Sequence, residues 1–160
     1  MIHKDWQPSM YLRQLRALHR RLSANHPKYP QVKDELNRYS AGYKGEESIK
    51  YQLSMLDPDI YHIFHDIRLP VGEHFFQIDI LVLTGNIILI IEVKNMAGNL
   101  FFDHVFHQLI RTQDGKEEGF PDPILQLNRQ QILLEKWLEN ERITELPPVI
   151  PLLTVSNPQT

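Results

Sequence analysis

The sequence predicts an α/β fold: a mixed central sheet flanked by helices, with a helical hairpin at the N-terminus. Three observations carry that expectation. Two strongly apolar runs, 75–83 and 87–94, are separated by Gly85-Asn86 and read as a β-hairpin. Stretches with apolar residues at helical spacing stand before the hairpin, at 8–23 and 45–56, and after it, at 123–140. A last apolar run, 149–155, follows the final helix, so the core order is helix, three strands, helix, strand.

Taken in order, residues 8–23 place Tyr11, Leu12, Leu15, Leu18 and Leu22 on one helical stripe and Arg13, Arg16 and Arg20 on another. Asn25-His26-Pro27 ends that helix, and a second short helix is expected over 31–39. Gly42-Tyr43-Lys44-Gly45 then leads into a helix over 45–56, closed by Asp57-Pro58. Ile49, Leu53 and Leu56 mark its buried side, and Glu46 lies on that same side while Glu47 is rotated away. A strand is expected over 60–69, ending at Pro70, with Val71-Gly72-Glu73 as the turn into the hairpin. Residues 99–103 suit a further strand, and Asp114-Gly115 suits a second hairpin turn. Asp122 as N-cap and Pro123 at the first helical position open the helix that runs to about Asn140. These elements divide the chain into a helical extension, 1–41, and a main domain, 42–160.

Composition narrows the chemistry. The chain has 160 residues, 42% of them hydrophobic, enough for one domain with a real core. Cysteine is absent, which excludes disulfides, thiolate metal sites and a cysteine nucleophile. No apolar run follows Met1-Ile2-His3-Lys4-Asp5, so no secretory signal is visible. The greasiest stretch, 78–93, is interrupted by Asp79 and by Thr84-Gly85-Asn86, so no membrane span is expected and a cytoplasmic location is the default. Residues 1–50 hold ten Lys/Arg against five Asp/Glu, and the rest of the chain seven against fifteen. A basic arm on an acidic body suits a polyanionic partner, and it equally suits a solvated helical face. There is no P-loop, dinucleotide-binding glycine pattern or Gly-x-Ser-x-Gly elbow. Asp103-His104 and His107 have a spacing that arises often by chance. His19, His26, His62, His65 and His74 form no cluster in the sequence and read as ordinary surface or half-buried histidines.

The hairpin carries the most informative pattern. With Gly85-Asn86 as a two-residue type II′ loop, Leu83 faces Ile88, Leu81 faces Ile90, Asp79 faces Glu92 and Gln77 faces Lys94, all on one side of the sheet. The other side, with Val82 by Leu89, Ile80 by Ile91 and Ile78 by Val93, is wholly apolar. Two carboxylates thus meet about 5 Å apart at Cβ, an arrangement that destabilises a sheet unless something neutralises it. A divalent cation would do so, and oxygen ligands favour magnesium or manganese. Glu-x-Lys on an exposed strand is ordinarily a surface ion pair of little consequence. Here apolar neighbours on both faces describe a covered central strand, where charges need partners.

Gly45-Glu46, Gln77-Ile78-Asp79, Ile91-Glu92-Val93-Lys94-Asn95 and Asp122-Pro123-Ile124-Leu125-Gln126 together resemble the nuclease-related domain, NERD, over about 42–155. That family is assigned to the restriction-endonuclease-like PD-(D/E)xK superfamily, and the resemblance implies that core fold. It further implies that Asp79 and Glu92 are metal ligands, with the backbone carbonyl of Val93 as another. Lys94 would orient the attacking water and stabilise phosphate charge. Glu46 would assist the metal or its water, and Gln126 would help position the site. Gln77-Ile78-Asp79 lacks the proline of the superfamily's name.

The expected function is metal-dependent hydrolysis of phosphodiester bonds in DNA, with RNA the other candidate substrate. Two rivals stay open: a nucleic-acid-binding module of nuclease fold with little turnover, and a protein-interaction domain. The final apolar strand is followed only by Ser156-Asn157-Pro158-Gln159-Thr160, so the sequence leads one to expect further chain, or a partner such as a second copy in a homodimer.

Overall fold

The computed structural model describes residues 1–143 and 145–156. Asn157-Pro158-Gln159-Thr160, the tail on which the expectation of further chain or a partner rests, lies outside the described residues. The chain opens with β1 (Ile2–Lys4), a strand the sequence did not signal. Three residues are too few for a period, and pairing parallel to a later strand is what makes them one. Helix α1 (Met10–Arg21) starts at Ser9, whose side chain accepts from the Leu12 N–H at 3.2 Å, and it buries Leu12 and Leu15.

Helix α2 (Tyr29–Ser48) is a single element of 20 residues, followed after Ile49 by the short α3 (Lys50–Ser54). The helices expected over 31–39 and 45–56 are therefore not separated at the glycines. Gly45 serves close approach instead: a Cβ there would lie 2.5 Å from Asn95 Cβ.

Next along the chain come the strands β2 (His62–Val71), β3 (His74–Leu83), β4 (Ile88–Asn95), β5 (Asn99–Asp103), β6 (Gln108–Gln113) and β7 (Lys116–Pro121). Helix α4 (Pro123–Asn140) and β8 (Val149–Ser156) complete the fold. The main sheet has the order β1-β2-β3-β4-β8, with its two outer pairs parallel and its inner pairs antiparallel. The mixed sheet and flanking helices are those expected. Strands β5, β6 and β7 form a second, antiparallel sheet. Its Asp114-Gly115 turn has φ of 52° and 74°, the positive pair that a type I′ hairpin needs.

The sheet is covered on both faces. Helix α4 lays Leu127, Leu134 and Leu138 on Ile78, Leu81 and Ile90. On the opposite face Ile80, Val82, Ile91 and Val93 pack with Ile63 and Trp6. Burying each such side chain contributes about 1.5–3 kcal/mol.

The β3–β4 register is the expected one: Leu83 faces Ile88, Val82 faces Leu89, Leu81 faces Ile90 and Ile80 faces Ile91. The loop conformation differs. Gly85 does not have positive φ. Thr84 Oγ1 organises the turn by accepting from the N–H groups of Asn86 and Ile87 at 3.1 and 2.9 Å. Positive φ at a hairpin's first central residue occurs at Gly72, with φ of 60°.

The expected alternation of faces fails beyond Ile80. Ile78 packs with Phe76 on the α4 side, while Ile80 packs on the other, so Ile78 does not share a face with Val93. Opposite this step, on β2, Asp66 has a φ of 51° and drops out of an otherwise continuous β2–β3 register. An irregularity of this kind rotates the side chains beyond it. Gln77 accordingly does not stand beside Lys94: its Oε1 accepts from Arg68 at 3.3 Å.

Candidate active site

The step in β3 opens the sheet. Regular β3–β4 pairing ends at Ile80 and Ile91, one residue short of Asp79 and Glu92. Val93 N–H points toward β3 but finds the Asp79 side chain, which accepts from it at 3.2 Å. The Val93 carbonyl leaves the same edge of the strand. The sheet thus forks at the two carboxylates, and the fork is the floor of an open cleft of about 600 Å³. Asp79, Glu92, Val93, Lys94, Glu46 and Gln126 all line it, with Arg38 on one wall and Arg111 and Phe120 on another. Every residue proposed from the sequence reaches this one cavity.

The carboxylates are held differently. Glu92, 2% exposed, accepts from Lys94 Nζ at 2.6 Å and from Gln130 Nε2 at 3.1 Å. Lys94 Nζ also donates to Gln126 Oε1 at 3.1 Å. Gln126 and Gln130, one turn apart on α4, therefore hold Lys94 and Glu92 respectively. The N-cap at Asp122, which accepts from Ile124 N–H at 2.8 Å, fixes where that helix begins. Gln130 Nε2 reaches the Gln77 carbonyl as well, at 3.1 Å, and so bridges the two strands at the fork. Asp79 has less support. Burial, then the charges of Glu92 and Glu46, push its carboxyl up to about 8, against the smaller opposing effects of the Val93 N–H and Lys94. Glu46 comes in from α2, its Oε2 accepting from His65 Nε2 at 2.6 Å.

The donor set suits a hard cation. Asp79, Glu92 and Val93 line the cleft and offer oxygen donors, and no histidine lines it. Burial first, then the neighbouring Glu92 and Glu46, disfavour the charged form of Asp79, and a cation bound beside it would favour that form. The buried Oε1 of Gln130, beside Glu92, has no partner. Among the described residues no three His, Asp or Glu side chains converge into a ready cage. An ion here would retain several waters, as magnesium does.

The family of the chain emerges from comparison with known proteins. The model of the nuclease-related domain matches residues 41–156. This chain belongs to the nuclease-related domain family. The PD-(D/E)xK superfamily is the general expectation for NERD proteins, and the α/β core with its forked sheet is consistent with it. A protein of Bacillus anthracis described as uncharacterized is 27% identical over 104 residues. The match covers 64% of this chain and 48% of that relative, so the NERD chain spans about half the relative's length. No solved structure matches the chain.

Two functional candidates escaped the sequence reading. Gln130 lies four residues after Gln126 on the same helical face, and that spacing was the available signal. His65 gave none. It is 2% exposed and bonded to Glu46, although the residues lie 19 apart on different elements. Asp103, by contrast, caps a turn by accepting from the N–H groups of Val105 and Phe106. No helix among the described residues is long and apolar enough to cross a membrane.

Proposed function

We propose that this NERD chain is a metal-dependent nuclease that hydrolyses phosphodiester bonds in DNA. One observation carries the reading: the buried Glu92 and the half-buried Asp79, on adjacent strands, line the floor of an open cleft where the sheet forks, with a lysine beside them. Asp79, Glu92 and the Val93 carbonyl would hold magnesium or manganese. When bound, the ion supplies a Lewis acid for a phosphoryl oxygen and lowers the pKa of a water. Lys94 places a fixed positive charge where charge grows on the phosphate. Gln126 and Gln130 keep Lys94 and Glu92 aimed, and Arg38 and Arg111 on the walls suit a polyanion.

The test is incubation of the protein with single-stranded, duplex and nicked DNA, and with RNA, in magnesium, manganese or EDTA. Cleavage that needs the metal and is lost in Asp79→Ala and Lys94→Met is expected. Metal-dependent cleavage undiminished in Asp79→Ala would overturn the assignment. A second reading is binding without turnover, favoured by the closure of Lys94 on Glu92. Metal-dependent DNA binding with no cleavage would support it.

A further inference from the structure

The segment that precedes the family-matched region packs behind the site and touches Glu46, a residue of the cleft. Strand β1 runs beside β2 and delivers Trp6 to the interior at 5% exposure. The Trp6 indole Nε1–H donates to the backbone carbonyl of Glu46 at 2.9 Å. Its ring stacks on His65, centroids 5.1 Å apart and planes at 20°. His65 in turn donates from Nε2 to the Glu46 carboxylate at 2.6 Å. Glu46 is therefore gripped at both ends, main chain and side chain, by two rings stacked on each other. Lys50 closes the outside, its Nζ 5.6 Å from the Trp6 ring centre and 2.8 Å from Asp5. Burying an imidazole and an indole costs free energy unless their polar atoms are satisfied, and here Glu46 satisfies one on each ring.

Glu46 is the one acidic residue of the cleft that comes from outside the β3–β4 hairpin, apart from Glu118 on the far wall. Its side chain has three rotatable bonds, and nothing on α2 itself fixes its direction. Resting on the nuclease reading, we propose that Trp6 and His65 are positioning residues for Glu46, so that the segment before the NERD region is a working part of the site. Partners of this outer kind fix the orientation of groups at a metal, and their loss ordinarily costs about 10–100-fold in metal affinity or activity.

The experiment is manganese binding, read by electron paramagnetic resonance of the free ion at a temperature where every variant is folded by circular dichroism. His65→Ala should weaken manganese binding by about 10–100-fold. His65→Gln, which restores a side-chain N–H donor, should recover most of that loss. Trp6→Phe, which keeps the stack and removes the indole donor, should fall between. In a Glu46→Gln background, His65→Ala should cause little further loss, because both act through one group. A folded His65→Ala with wild-type affinity would overturn the proposal, as would an undiminished loss in the Glu46→Gln background. If the wild type itself binds no manganese, the metal reading fails on its own. The crystal structure of His65→Ala then decides the positioning claim: a displaced Glu46 carboxylate upholds it, and one left in place refutes it.

Discussion

Replacing Asp79 by Asn should change how stability depends on pH, and the size of the change can be worked from the site. In the metal-free protein the Asp79 carboxyl is raised from its ordinary value of 3.8 to about 8, first by burial and then by Glu92 and Glu46. Between those two values the folded protein holds a proton that the unfolded chain has released. Stability therefore falls as pH rises through that window and levels off above it. The span corresponds to about 5–6 kcal/mol at most. Water entering the open cleft screens the carboxylate, so a decline of about 3 kcal/mol between pH 5 and 9 is the expected scale. For a chain of this size that is a fall of about 6–12 °C in Tm. Asp79→Asn, which cannot ionise, should flatten the decline and be more stable than the metal-free wild type at the alkaline end. Magnesium should then raise the wild-type Tm most above pH 8, where no proton competes for Asp79, and should leave Asp79→Asn nearly unmoved. The assay is urea and thermal unfolding across this pH range with EDTA, repeated with magnesium in its place. Parallel wild-type and Asp79→Asn curves from pH 5 to 9 would refute the reasoning.

Three other outcomes are expected. Gly45→Ala should destabilise the fold by about 1–3 kcal/mol, since the new Cβ meets Asn95, whereas Gly42→Ala in the same helix meets nothing within 4 Å and should stabilise by about 0.5–1 kcal/mol; urea midpoints compare the two. Gln130→Leu leaves Glu92 Oε2 and the Gln77 carbonyl without that donor, so a loss of about 1–3 kcal/mol should appear in thermal unfolding, together with slower cleavage. Neutralising Arg13, Arg16 and Arg20 together should weaken DNA binding for every sequence alike and flatten its salt dependence in filter binding, while unchanged affinity and slope would show that this helix face is merely solvated.

Much of the site was legible in one dimension because strands are periodic. The Gly85-Asn86 loop set the pairing of 80–83 with 88–91, and that register brings Asp79 and Glu92 to the same end of adjacent strands. Lys94 follows from its spacing to Glu92, whereas Gln126 was signalled only by the family resemblance, the Asp-Pro start serving to place it in the first turn of α4. The failures share a different cause. Glycine reads as a break in sequence, yet at Gly45 it marks the place where α2 presses on Asn95, a contact with an element far along the chain.

By itself, then, the sequence determined the core order of helices and strands and the hairpin register that brings Asp79, Glu92 and Lys94 to one end of adjacent strands, since these arise from periods and spacings within a few residues. Only the tertiary structure decided the rest. The step at Asp79, opposite the left-handed Asp66, turned a simple hairpin face into a fork, and Asp79 took the Val93 N–H that regular pairing would have satisfied. Strand β1 exists because β2 offers it an edge, and it alone carries Trp6 to His65 and Glu46. Those contacts join residues 19 to 62 positions apart. The backbone hydrogen bonds and buried surface that create them come into being only when distant segments pack, and no local pattern encodes that packing.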